Sequence, residues 1–100
     1  MARPRKPCKF SCPKRLGLQA VYKPAAKPIG TLELIPLYLE ELEAMHLCDG
    51  LGKTQTEAGV CMGVSRGTVQ RLLAEARSKV ARALAQQQAL AIGARTDVAD

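Results

Sequence analysis

The fold of this chain turns on residues Thr54–Arg82, TQTEAGVCMGVSRGTVQRLLAEARSKVAR. Thr54 is a good helix N-cap, and Glu57 three residues later completes a capping box, each partner satisfying a free N–H at the helix start. A first helix then runs through Ala58, Gly59, Val60, Cys61 and Met62 and stops at Gly63, which can take the left-handed conformation that ends a helix. Val64 is expected as a buried plug in the turn, and Ser65 as the cap of a second, longer helix. The pattern is a helix-turn-helix.

Spacing strengthens that reading. Two helices that cross closely need a small residue where their backbones meet, and Gly59 lies four positions before the turn glycine. Met62, Val64, Val69 and Leu72 fall where the shared core must be apolar. The outer face of the second helix's first turns is left with Ser65, Arg66, Gly67, Gln70 and Arg71. In helix-turn-helix proteins these positions enter the major groove of DNA. Arg bridges the two acceptors of guanine and Gln pairs with adenine, so Arg66, Gln70 and Arg71 are the candidate base readers. Ser65, Thr68, Arg77 and Lys79 are the candidate phosphate holders. An ordinary helical hairpin with a solvated basic face would share some of these features. The small residue, the turn glycine and the apolar set agree with one another, which favours the specific reading.

The chain has 100 residues, enough for one small domain with an arm or tail. Its aromatics are Phe10, Tyr22 and Tyr38, so the core must be aliphatic and modest. The formal charge is +6 and unevenly spread. Residues 1–28 hold eight Lys or Arg and no acid, whereas residues 29–51 hold five acids and no Lys or Arg. Positive charge returns over the helix-turn-helix. Such alternation suits a polyanionic partner. The cysteines are Cys8, Cys12, Cys48 and Cys61. The N-terminus is basic and proline-rich with no apolar h-region, and no stretch approaches the ~20 apolar residues of a membrane span. A cytoplasmic protein with reduced thiols is therefore expected. Cys48 and Cys61 fall on apolar helix faces and read as small core residues.

Residues 1–30 read as a basic, Pro-rich arm. Pro4, Pro7 and Pro13 block regular structure, and Arg3, Arg5 and Lys6 have the chemistry to lie along phosphates. A solvated charged tail is the plain alternative. Cys8 and Cys12 resemble half of a zinc site but lack a clear second pair, since His46 lies within an acidic helix. A short extended piece is expected around Leu18–Lys23, at an edge or in a two-stranded ribbon. Residues 31–92 read as a helical domain, with the helix-turn-helix at 54–85. Thr31–Pro36 leads into a helix from Leu39 to about Gly50. In that helix Leu39, Leu42, Ala44, Met45, Leu47 and Cys48 form an apolar stripe, while Glu40, Glu41, Glu43 and Asp49 are expected to face solvent. The apolar repeat of the second helix continues to about Leu90, and Val80–Leu90 must pack on the Leu16–Pro36 region or on a second subunit. Ala89–Ile92 is a last apolar patch, and residues 93–100 read as a flexible tail.

The segment LEELEAMHLCDGLGKTQTEAGVCMGVSRGTVQRLLAEARSKVARAL resembles region 4 of bacterial sigma factors, which reads the −35 promoter element. More closely, the chain from about Arg3 to Ile92 is similar to a family of small bacterial and archaeal proteins regarded as DNA-binding. The resemblance rests on the RPRK arm, Tyr22-Lys23-Pro24, the helix Leu39–Leu47, and Gln55–Thr68. It implies a mainly α fold, a sigma region-4-like helix-turn-helix of the winged-helix-like superfamily, with an extended basic arm. Tyr38 departs from the family's Thr or Ser cap, Lys53 from an apolar residue and Gly59 from Ala. Some relatives carry a further domain resembling nitrogenase-cofactor-associated proteins, for which this chain is expected to be too short.

The expected function is sequence-specific binding of double-stranded DNA in transcriptional regulation, with no cofactor. A homodimer and a contact with RNA polymerase are the further partners this reading admits. Two rivals remain open: a protein-interaction module using the acidic and long helices, and an RNA-associated protein using the arm. An enzyme is not expected, because no nucleophile–base pair, phosphate loop or carboxylate pair with a His is present.

Overall fold

The computed structural model describes residues 20–95. Strand β1 (Ala20–Tyr22) is followed by a 3-10 turn at Ile29–Thr31 and strand β2 (Leu34–Tyr38). Helix α1 (Leu39–Met45) continues into a π turn at His46–Gly50. Helices α2 (Gln55–Met62) and α3 (Arg66–Gln86) come next, and strand β3 (Ala89–Gly93) closes the order. The architecture is helical with a small three-stranded sheet in the order β1-β3-β2.

The sheet is the main departure from the sequence reading. β3 is its central strand, antiparallel to β1 with Val21 opposite Ala91, and parallel to β2 with Pro36 opposite Ala91. Ala89–Ile92 is thus an inner strand, and Gly93 is its last residue rather than the start of a frayed tail. A strand paired on both sides reads as a continuous short apolar run, which is what ALAIG is. β2 was expected only as a lead into α1. Its Ile35 and Leu37 alternate inward, and Pro36 is tolerated because β2 is an edge strand that need not donate on its outer side. The expected extended piece near Leu18–Lys23 is present as the edge strand β1.

α3 ends at Gln87, which adopts φ 56° and ψ 46°, a left-handed cap usually filled by glycine. The Gln88 N–H bonds the Ala83 carbonyl at 2.9 Å. Its side-chain oxygen accepts from Glu33 N–H at 2.7 Å and so clips the beginning of β2 to the end of α3. The core forms two clusters. The rear one joins Ile35, Leu37, Leu90 and Ile92 of the sheet to Ala76, Val80 and Ala83 of α3, with Leu39, Leu42 and Met45 of α1 against them. Val80–Leu90 therefore packs within the chain, on and into the sheet. The front cluster joins Ala44 and Leu47 to Ala58, Met62 and Val69, flanked by Cys48, Cys61 and Leu72. Burial pushes the Cys48 thiol up, and the neighbouring Asp49 charge adds to that shift while Arg77 opposes it.

α1 corrects a second expectation. Glu40 and Asp49 lie toward solvent, but Glu41 and Glu43 are buried, at 3% and 7% exposure. A buried carboxylate is costly unless it is paired and hydrogen-bonded. Glu41 meets both conditions: it accepts from Tyr38 N–H at 3.0 Å and from Lys79 Nζ at 2.7 Å. The first bond anchors the start of α1 without the Thr or Ser cap.

Candidate nucleic-acid interface

The turn between α2 and α3 is built as its residues dictate. Thr54 Oγ1 accepts from Glu57 N–H at 3.0 Å, and Glu57 Oε1 accepts from Thr54 N–H at 2.9 Å. At the other end of α2, Gly63 takes φ 76° and ψ 31°. The N–H groups of Gly63 and Val64 both reach the Gly59 carbonyl, at 2.8 and 2.9 Å. A Cβ on Gly59 would stand 2.7 Å from the Val64 carbonyl oxygen, so the Ala that the family resemblance places here would push the turn outward. Val64 itself corrects an expectation. The residue is 36% exposed, not a buried plug. The position is held by its backbone, which rests on Gly59, so its side chain is free to turn outward. Met62 and Val69 fill the shared core as expected.

Ser65 then caps α3, accepting from Thr68 N–H at 3.1 Å, and its Oγ lies 3.1 Å from Thr68 Oγ1. Beyond the cap, Arg66, Gly67, Gln70 and Arg71 are all exposed and Thr68 is half-exposed. These side chains occupy one end of a helix of 21 residues, about 31 Å long. α1 and α2 carry acidic residues in their first turns, but α3 has none. The positive end of its dipole is therefore uncompensated on the side where Arg66 and Arg71 project. Arg66 Nη1 donates to Gln55 Oε1 at 3.1 Å, linking the first residues of α3 and α2. Gln55 is the site residue that reading α3 alone overlooks. The available signal was that Gln55 and Arg66 each follow a cap directly in sequence.

The other two basic candidates on α3 are placed differently. Arg77 forms a bidentate pair with Asp49, Nε to Oδ2 at 2.9 Å and Nη2 to Oδ1 at 2.7 Å. That hydrogen-bonded pairing holds the Asp49 carboxyl below the usual carboxylate range, against a weaker opposing effect of burial. Lys79 is turned inward: its side chain is 12% exposed, bonded to Glu41 and 4.3 Å from the centre of the Tyr38 ring. The expectation of a free phosphate-holding Lys79 gives way to that of a partner for a buried acid. Arg95 also stacks on Tyr38, at 4.0 Å, and bonds Glu40 through Nε at 2.9 Å. Arg3, Arg5, Lys6, Cys8 and Cys12 lie outside the described residues. Among the described residues, no group of three or more His, Cys, Asp or Glu could hold a metal ion. No helix among them is long and apolar enough to cross a membrane.

Fold and site together define a small helical domain with a three-stranded sheet at its rear and an exposed, arginine-bearing helix end at its front. Residues 1–96 match the family described as "Protein of unknown function DUF134", and the chain belongs to that family. A UPF0251 protein of Shewanella pealeana is 43% identical over 90 residues, covering 90% of this chain and 91% of its own. A UPF0251 protein of Dehalococcoides mccartyi strain BAV1 is 49% identical over 73 residues, covering 73% of this chain and 62% of its own. An archaeal one, from Methanocella arvoryzae, is 49% identical over 71 residues, or 71% of this chain and 43% of its own. The chain thus spans about three fifths of the length of its Dehalococcoides relative. No solved structure matches the chain.

Proposed function

We propose that this protein binds duplex DNA sequence-specifically and regulates transcription, using α2, the Gly63 turn and α3 as a helix-turn-helix of the sigma region-4 kind. The observation that carries the reading is the placement of Ser65, Arg66, Gly67, Gln70 and Arg71. They are exposed together at one end of α3, while both helix starts behind them are fixed by side-chain caps. Rigid presentation of Arg and Gln suits base edges, because bidentate hydrogen bonding needs a defined approach. Arg66, Gln70 and Arg71 are assigned to bases, and Ser65 and Thr68 to phosphates, with Arg3, Arg5 and Lys6 of the arm adding charge. The rival in which the acidic helix docks a protein partner is disfavoured by α1 itself. Glu41 and Glu43 are buried, and Glu40 and Asp49 are engaged by Arg95 and Arg77.

The test is selection of bound sequences from random duplex DNA, followed by binding of Arg66→Ala. A defined motif should emerge. The substitution should cost about 1–3 kcal/mol on that site and relax preference at one position. Equal losses on the selected site and on random DNA would refute the base-reading assignment.

A further inference from the structure

Gln55 belongs to α2, outside the helix proposed to read DNA, yet its side chain reaches the most prominent basic group of that helix. Arg66 has only donors to offer, so a hydrogen bond between the two must use the Gln55 oxygen. The contact, Arg66 Nη1 to Gln55 Oε1 at 3.1 Å, therefore determines which way the Gln55 amide faces. Its NH2 is turned away from Arg66. Neither end of this link can drift far. Gln55 directly follows Thr54, whose capping box fixes the start of α2, and Arg66 directly follows Ser65, whose Oγ fixes the start of α3. The distance between the two starts is set by the Gly59–Val64 approach, where backbone meets backbone. A long, exposed arginine otherwise samples many rotamers, and ordering it at an interface weakens binding. Held by one Nη, the guanidinium keeps its remaining N–H groups for an acceptor in front of it.

We propose that Gln55 is a specificity-determining positioning residue: it pre-orients Arg66 so that the guanidinium meets one base in a single pose. This rests on the assignment of Arg66 to a base edge. Gln55 acts through Arg66, and its effect must therefore disappear when Arg66 is absent.

The experiment is a double-mutant cycle with Gln55→Ala, Arg66→Ala and the double variant. Affinity is measured for the selected DNA site and for the same site with the Arg66-dependent base pair replaced. Gln55→Ala should weaken binding to the selected site about three- to tenfold, and bind the replaced site nearly as wild type does. In the Arg66→Ala background the second substitution should change affinity by less than about twofold. A Gln55→Ala loss that is the same on both sites, or that persists undiminished without Arg66, would overturn the positioning role while leaving Arg66 as a base reader. Arg66→Ala with unchanged sequence preference would overturn both assignments. Matching thermal melts of the four proteins exclude loss of folding as the source of either result.

Discussion

Gly59→Ala should destabilise this protein, although alanine is the better helix former by about 1 kcal/mol at an exposed interior position. The added Cβ would lie 2.7 Å from the Val64 carbonyl oxygen, and also 3.5 Å from Ser65 C and 3.6 Å from Arg66 N. An ordinary carbon–oxygen approach is ~3.3 Å or more, so the turn must retreat by roughly half an ångström. The obstacle is backbone and cannot swing aside. Retreat also stretches the 2.9 Å bond from Val64 N–H to the Gly59 carbonyl. Overpacking costs about 1–3 kcal/mol and a weakened hydrogen bond up to about 1 kcal/mol. Subtracting the propensity gain leaves a net loss of up to about 3 kcal/mol, about 1.5 kcal/mol at mid-range, and each kcal/mol lowers Tm by ~4–8 °C in a domain of this size. Gly67→Ala provides the control. Gly67 is also helical, but a Cβ there would meet nothing closer than Ser65 Oγ at 3.9 Å. That variant should be more stable by about 0.4–1 kcal/mol. Thermal and urea melts followed by circular dichroism measure both. If Gly59→Ala melts at or above wild type, the helix crossing is looser than the 2.7 Å approach implies.

Lys79→Met should cost about 3 kcal/mol in urea denaturation, because it leaves the Glu41 carboxylate buried without its cation. Adding Glu41→Gln should restore much of that loss, and failure of the double variant to recover would argue against the pair as the cause. The folded Lys79→Met protein should also keep the wild-type salt dependence of DNA binding, whereas loss of a phosphate contact would reduce the slope by about 1. Asp49→Asn should be mild, below about 1 kcal/mol, since the Arg77 pair is exposed and screened by water. Its sign with pH is definite. Arg77 depresses the folded-state pKa of Asp49, so the pair's contribution is present above the ordinary carboxylate pKa of ~3.9 and is lost as pH falls through the lower folded value. The stability difference between wild type and Asp49→Asn should therefore shrink as pH falls below about 3.9 and vanish once Asp49 is protonated in the folded state, and a difference that grows on acidification would contradict the assignment.

The front of the molecule was legible in the sequence because its signals are local. Thr54 and Glu57, Gly63, and Ser65 each act within a few residues, and each does in the structure what its chemistry implies. The rear was not, because its partners are remote. Nothing near Ala89–Gly93 announces that its neighbours are Ala20–Tyr22 and Leu34–Tyr38, and the three glutamines before it gave no sign of a helix stop. Glu41 was misplaced for the same reason. Three acids in the first turns of a helix look solvated until Lys79, 38 residues away, is brought onto one of them. Val64 failed differently: its apolar type suggested burial, but its carbonyl, not its side chain, makes the fit with Gly59.

The distribution of charge along α3 has consequences for how strongly the front can bind. Arg77 and Lys79, in the middle of the helix, are each matched by an acid at 2.7 Å, Asp49 of the π turn and Glu41 of α1. Among the described residues, Arg66 and Arg71 bond only to the neutral side chains of Gln55 and Thr68, and no carboxylate there pairs with them. The middle of the helix is thus neutralised, while its front is positive where it is proposed to read. Ala76, Val80 and Ala83 hold its rear half in the sheet core, so the front cannot retreat when it meets a phosphate-lined surface. The two uncommitted guanidiniums at the front release few counterions, and non-specific affinity for DNA grows with the number of phosphates neutralised. This arrangement favours discrimination over strength. On the proposed function, the additional charge must come from the basic residues of the first fifteen positions or from a second copy of the chain on the same duplex.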